Sequence, residues 1–200
     1  MIPLKISKEE VNALDLGAFP GKIILVEDEE GLREMEKDLN ASRIIGFDTE
    51  TRPAFRKGVS YEVALLQLST TKNAYLIRLN NTGFPPSAKA ILENPRIVKV
   101  GAAVRDDLKA LKKISPKFNP DSFFDLNEEL KRVGFLNVGV RNLSAMVLGI
   151  RISKSEQVSN WEAPVLTNKQ MLYAATDAWA CLEIFLKLQK EGYLDEIFST

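Results

Sequence analysis

The order of hydrophobic and polar positions changes period along the chain. A short apolar run at residues 23–26 is followed by apolar residues at helical spacing, Leu32, Met35 and Leu39, which predicts an amphipathic helix over 31–39. Three strand-like runs come next, at 43–49, 62–70 and 73–79. The last two are joined by the turn-like sequence STTKN, so an antiparallel meander is expected. Residues 83–86 carry glycine and proline and break the chain before a short helix at 87–92. A further apolar strand at 97–102 leads into a helix at about 105–113. Beyond that point helices dominate: residues 122–126 read as a last short strand, and helices are expected near 127–133, 142–148 and 168–190. Strands that come first and helices that pack on them later describe an α/β domain, a central sheet of five or six strands flanked by helices. Residues 51–60 and 149–167 show neither period and are read as loops, which either shape a binding site or merely connect elements.

Composition narrows this picture. Two hundred residues with 45% hydrophobic and 27% charged positions fit one globular domain with a full-sized core, read as 23–200 after an N-terminal extension at 1–22. The opening MIPLKISKEEVNALDL lacks the features of a signal peptide, and no apolar stretch approaches the roughly 20 residues of a membrane span. The expectation is a soluble, cytoplasmic protein with no membrane partner. Cys181 is the only cysteine, so an intrachain disulfide is excluded and a buried thiol is expected. The formal charge of zero excludes a uniformly basic nucleic-acid coat but leaves local patches. Residues 96–117 are such a patch, with Arg105, Lys109, Lys112, Lys113 and Lys117, while 27–38 are mostly acidic; a solvated helix face explains either run equally well.

The chain has no histidine, which removes the usual general base, the usual zinc ligand and every Ser-His or Cys-His dyad. Chemistry here has to run on oxygen ligands. Asp48 and Glu50 end an apolar strand in IIGFDTET, and the strand period of two points both carboxylates to one face. At about 4 Å and an effective dielectric near 20 their repulsion is of order 4 kcal/mol, which favours protonation or a bound hard cation. An Asp-x-Glu triplet is expected about once by chance in a chain of this length, and Asp28 and Glu30 form a second one. The second lies in the charged run VEDEEG, where a solvated helix start explains it, whereas Asp48 follows the buried-looking IIGF. Tyr173 and Asp177, four apart in LYAATDAWACLEIF, share one face of the longest expected helix, and Ala174, Ala175, Ala178 and Ala180 keep that helix slim enough to approach a sheet closely. Asp107, in KVGAAVRDDLKAL, falls in the first turn of the helix after a strand, where capping by Asp106 or Asp107 is an equally good reading.

Taken in order, FDTET, KVG with its delayed aspartate, and YAATDA resemble the 3′-to-5′ exonucleases of the four-acidic-ligand, tyrosine-containing class, the DEDDy class close to ribonuclease D and the Werner syndrome exonuclease domain. The resemblance spans roughly residues 23–188, and SNWEAPVLTNKQ, with Trp161 and Leu166, is similar to the lead into the family's third motif. It implies a ribonuclease H-like fold on a central mixed sheet. It also implies two divalent cations, Mg²⁺ or Mn²⁺, held by Asp48, Glu50, Asp107 and Asp177, with Asp107 rather than Asp106 as ligand. Tyr173 would orient the attacking water, and nucleoside 5′-monophosphates would leave the 3′ end of DNA or RNA. Thr49, Thr51, Arg52, Phe55, Arg56 and Lys57 around the first motif, and Arg105 beside Asp107, are candidate substrate contacts, with ordinary loop surface or a salt bridge as the alternative. Trp161 and Trp179 are read as packing residues. The competing functional reading is a nucleic-acid-binding module that keeps the fold without turnover.

Overall fold

The computed structural model describes residues 2–195; the expected domain end at 196–200 lies outside the described residues. Six strands form one mixed sheet in the order β1-β4-β3-β2-β5-β6: β1 (Lys22–Val26), β2 (Ile44–Thr51), β3 (Val63–Ser69), β4 (Asn73–Arg78), β5 (Val98–Gly101) and β6 (Phe123–Asp125). β2, β3 and β4 form the expected antiparallel meander, while β1 joins β4, β5 joins β2 and β6 joins β5 in parallel. The helices are α1 (Lys8–Ala13), α2 (Glu29–Asn40), α3 (Leu79–Thr82), α4 (Pro86–Glu93), α5 (Val104–Ile114), α6 (Leu126–Arg132), α7 (Val140–Leu143) and α8 (Asn168–Lys190). Where one helix is expected at 142–148, α7 instead passes into a π-helical turn, Ser144–Leu148, closed by Gly149 at φ 72°.

The central β2 separates two layers of core. Ile45 and Phe47 point to one face and pack with Met35 and Leu39 of α2, Ile91 of α4 and Leu111 of α5. The opposite face of the sheet receives α8, with Ala174 and Ala175 against Leu65 and Leu76. Alternation along β2 therefore assigns odd positions to the α2/α4/α5 layer and even positions to α8. This assignment places the candidate carboxylates.

Residues ahead of β1 pack on the sheet domain. Ser7 and Glu10 make a reciprocal capping box that starts α1. Ile2 is buried with Val100 and Phe185, and Phe19 with Leu65 and Trp161. The Phe19 amide donates to Thr176 Oγ1 at 3.0 Å, and Gly17 donates to the Arg151 carbonyl at 2.9 Å. Cys181 is buried, as expected. Among the described residues, no helix is long and apolar enough to cross a membrane.

Candidate active site

The site begins with a missing side chain. An ideal Cβ on Gly46 would lie 2.0 Å from the Ala178 carbonyl oxygen and 2.4 Å from Ser69 Oγ, so only glycine lets β2 and α8 approach this closely. α8 opens with a capping box between Thr167 and Gln170 and presents Ala174, Ala175 and Ala178, all fully buried, to the sheet. Asp177 sits between these alanines, and Asp48 and Glu50 are the even positions of β2 that follow Gly46. One carboxylate oxygen from each of Asp48, Glu50 and Asp177 lies within 4.8 Å of the others.

Asp107 lies outside this group of three, on the other side of β2, although its charge still reaches Asp48. The reason is again alternation: Thr49, between Asp48 and Glu50, points to the other layer, and its hydroxyl donates to Asp107 Oδ1. Neither Asp106 nor Asp107 caps α5. Its entry is held from β6, where the Asp125 carboxylate accepts from Ala103 N at 2.9 Å and Val104 N at 3.0 Å, with Ala103 in the left-handed region at φ 57°. Thr49 is thus a holder of Asp107.

Burial and mutual repulsion keep this cluster reluctant to ionise. Asp48 is raised well above the carboxylate range by burial and then by Asp177 and Asp107. Burial first, then Asp48, Asp177 and Asp107, push Glu50 up to about 10. Asp107 rises to about 6, mainly through burial, with the Thr49 hydrogen bond opposing. Asp177 rises to about 7 through burial, opposed by the Tyr173 hydroxyl and by the charge of Lys154. Such a cluster has the chemistry to hold a cation: hard oxygen donors, poorly solvated, with their repulsion uncompensated. The Tyr173 phenol is raised above its ordinary value, by burial and then by Asp177 and Glu50, and so keeps its proton.

Tyr173 and Asp177 open on a cavity of about 270 Å³ that Asn142, Ser153, Lys154 and Gln157 also line. Sequence reasoning missed Lys154, one of two cations, with Arg151, in an aperiodic stretch that carries no motif. Trp161, fully buried as expected, packs its ring 6.0 Å from that of Tyr173. Trp179 is also a packing residue, 6.0 Å from Phe19, with its indole N–H on Glu183.

The two expected loops meet beside the trio. Arg52 pairs with Glu162 at 3.1 Å and stacks 4.7 Å over the Tyr61 ring. Arg52, Phe55, Arg56, Val59, Tyr61, Val158 and Asn160 line a cleft of about 490 Å³, where Phe55 is 84% exposed. Thr51 follows a register shift at the end of β2, and Lys57 is exposed. Two positions along a helix is about 200° of rotation, so Arg105 faces away from Asp107. It lines a groove with Phe123, Glu128 and Glu129, and the structure does not bring it to the trio. Arg78, 1% exposed, donates to the Ala163 and Pro164 carbonyls and pins the second loop to β4.

A family model described as 3′-5′ exonuclease matches residues 23–192. The chain belongs to this 3′-5′ exonuclease family. Over 194 residues, 90% of this chain, the family member is 32% identical to the bifunctional 3′-5′ exonuclease/ATP-dependent helicase WRN of Mus musculus, of which it spans 14%. The Nibbler EXO domain of Aedes aegypti is 26% identical and superposes with a TM-score of 0.78 over 90% of this chain and 94% of that one. RNase D of Escherichia coli, described as an exoribonuclease involved in structured RNA processing, has a TM-score of 0.73 at 24% identity over 88% of this chain and 48% of its own, a likeness of fold. The expected ribonuclease H-like architecture is thereby established, with the larger of the two expected strand numbers among the described residues.

Proposed function

We propose that this exonuclease-family chain hydrolyses phosphodiester bonds one nucleotide at a time from the 3′ end of DNA or RNA, releasing nucleoside 5′-monophosphates. One observation carries the reading: three poorly solvated carboxylates, Asp48, Glu50 and Asp177, meet within 4.8 Å with no histidine in the chain. That donor set fits a hard cation. Asp48, Glu50 and Asp177 would hold one of a pair of Mg²⁺ or Mn²⁺ ions, and Asp48 with Asp107 the other. Bound there, divalent cations supply Lewis-acid activation of water and charge stabilisation of a phosphoryl transfer.

The chain's own residues do the rest. Tyr173 retains its hydroxyl proton and therefore orients the attacking water by hydrogen bonding instead of removing its proton. Trp161 fixes the tyrosine ring, and Thr49 fixes Asp107. Lys154, facing the cavity that Tyr173 and Asp177 line, places a positive charge where an incoming phosphate sits. Arg52, Arg56 and the exposed Phe55 offer phosphate contacts and a stacking face in the adjoining cleft, the combination that unpaired nucleic acid needs. Residues 23–200 are assigned to the exonuclease domain and 1–22 to an extension, whose described residues pack on it.

Purified protein incubated with end-labelled DNA and RNA oligonucleotides, in Mg²⁺, Mn²⁺ or EDTA, tests the proposal. Cation-dependent shortening from the 3′ end, abolished by Asp48→Ala and reduced by Tyr173→Phe, is the expected result. Intact substrates under every condition would refute it.

A further inference from the structure

β3 carries an uncompensated polar group at the centre of the molecule. Gln67 is fully buried, and neither Oε1 nor Nε2 of its amide has a hydrogen-bond partner. Buried side-chain amides are almost always bonded, and leaving one unpaired is costly, so its position calls for a reason. That position is specific: in the antiparallel β2–β3 ladder Gln67 is the register partner of Asp48. Directly opposed residues put their side chains on the same face with Cβ atoms about 5 Å apart. The neighbouring pair confirms the shared face, because Ser69 Oγ fills the space over its own partner, Gly46. Gln67 therefore stands beside Asp48 on the α8 side of the sheet, two positions from Leu65 on its own strand and opposite Leu76 of β4, both part of the apolar layer under α8.

We propose that Gln67 is a positioning residue for Asp48: its Nε2 donates to the Asp48 carboxylate when that group holds a cation, fixing which oxygen faces the site. An amide suits this task better than any charged side chain. Its NH₂ donates to a carboxylate oxygen while staying neutral, so it can hold the ligand without bringing another charge into a buried place. A lysine there would compete with the cation, and a glutamate would add to a repulsion already present. The inference rests on the exonuclease reading of the carboxylate trio and adds to it a residue from outside the acidic motifs.

Gln67→Met, close in length and free of hydrogen-bonding groups, tests it through three measurements. The first is thermal unfolding of the cation-free protein in EDTA, the second Mn²⁺ affinity from the melting shift on titration, and the third kcat and KM on a labelled oligonucleotide. The expected outcome is a melting temperature in EDTA equal to or above wild type, since an unpaired buried amide is removed. Mn²⁺ affinity or kcat then falls by about 10–100-fold, as when the outer partner of a metal ligand is lost, with KM little changed. Ser69→Ala, which removes the other unpartnered buried polar group of this row, is expected to leave kcat unchanged. A lower melting temperature for Gln67→Met in EDTA would make the amide a structural element and overturn the proposal. Unchanged Mn²⁺ affinity and kcat would overturn it as well. If wild type itself neither binds Mn²⁺ nor shortens any substrate, the exonuclease reading fails first and this inference falls with it.

Discussion

Replacing a carboxylate of the trio is expected to make the cation-free protein more stable. Take Asp177→Asn, which keeps the shape of the side chain and removes its charge. Asp177 titrates at about 7 in the folded protein against an ordinary 3.8, a difference worth up to ~4 kcal/mol at 1.36 kcal/mol per pH unit. Coulomb's law gives a similar figure: two charges no more than 4.8 Å apart at an effective dielectric of 20 repel by roughly 3.5 kcal/mol or more. Asp177 is half-buried, so solvent screening reduces this to about 2 kcal/mol. For a chain of this size that corresponds to a melting temperature about 4–8 °C above wild type. The sign follows from linkage. A carboxyl whose folded value is raised gives stability that is fully present below its unfolded value and lost as pH rises toward the folded one. The gap between variant and wild type should therefore be near zero at pH 4, widen up to about pH 7, and stay constant above. Thermal melts of both proteins in EDTA from pH 4 to 8 measure it directly. Adding Mg²⁺ or Mn²⁺ should reverse the order, because only wild type then gains binding energy. A variant no more stable than wild type at pH 8, or a gap independent of pH, would refute the electrostatic account of the cluster.

Three further outcomes are expected. Gly46→Ala forces a Cβ to within 2.0 Å of the Ala178 carbonyl and should cost about 3 kcal/mol or more by denaturant unfolding, with loss of nuclease activity. Thr49→Val removes the hydroxyl that holds Asp107; stability should change by only about 1 kcal/mol while kcat drops about tenfold, and Thr49→Ser should restore it. Arg78→Met leaves the Ala163 and Pro164 carbonyls without their donors. It should destabilise by about 2–4 kcal/mol in chemical denaturation and make the 158–166 segment the first site of limited proteolysis.

Much of the fold was legible because local patterns and the final environment agree. The meander, the amphipathic α2 and the long α8 each carry their period over enough residues to outweigh propensity noise. α1 was missed although Ser7-Lys8-Glu9-Glu10 is a capping box in plain sequence, because only Val11 of that helix is buried and no apolar stripe advertises it. The π-helical turn at Ser144–Leu148 has no local signature. Its buried Ser144, Ala145, Met146 and Val147 take their conformation from packing against α8, which no window of sequence contains.

The site divides along the same line. Asp48 with Glu50, and Tyr173 with Asp177, are pairs whose geometry is set by the period of one element, so spacing alone places each pair on one face. That these pairs meet depends on Gly46 and the buried alanines of α8, and the small residues of that helix were a readable hint. Asp107 is different in kind. Its place depends on where α5 begins, and that is set by Asp125, 22 residues beyond the α5 entry. The Arg52–Glu162 pair spans 110 residues, and Lys154 reaches Asp177 only once the 149–167 loop is folded back. The decoy triplet makes the physical point most sharply. Asp28 accepts from Gly31 N as the N-cap of α2, and Glu30 lies in its first turn, so the helix terminus and solvent satisfy both charges. The same two residue types at the same spacing become a candidate cation site at Asp48 and Glu50 because a glycine-thin strand and an alanine-faced helix close over them and leave a third carboxylate as their neighbour. The chemistry is decided by what lies opposite the motif, and Gly46→Ala is therefore expected to lose cation-induced stabilisation even though no ligand is altered.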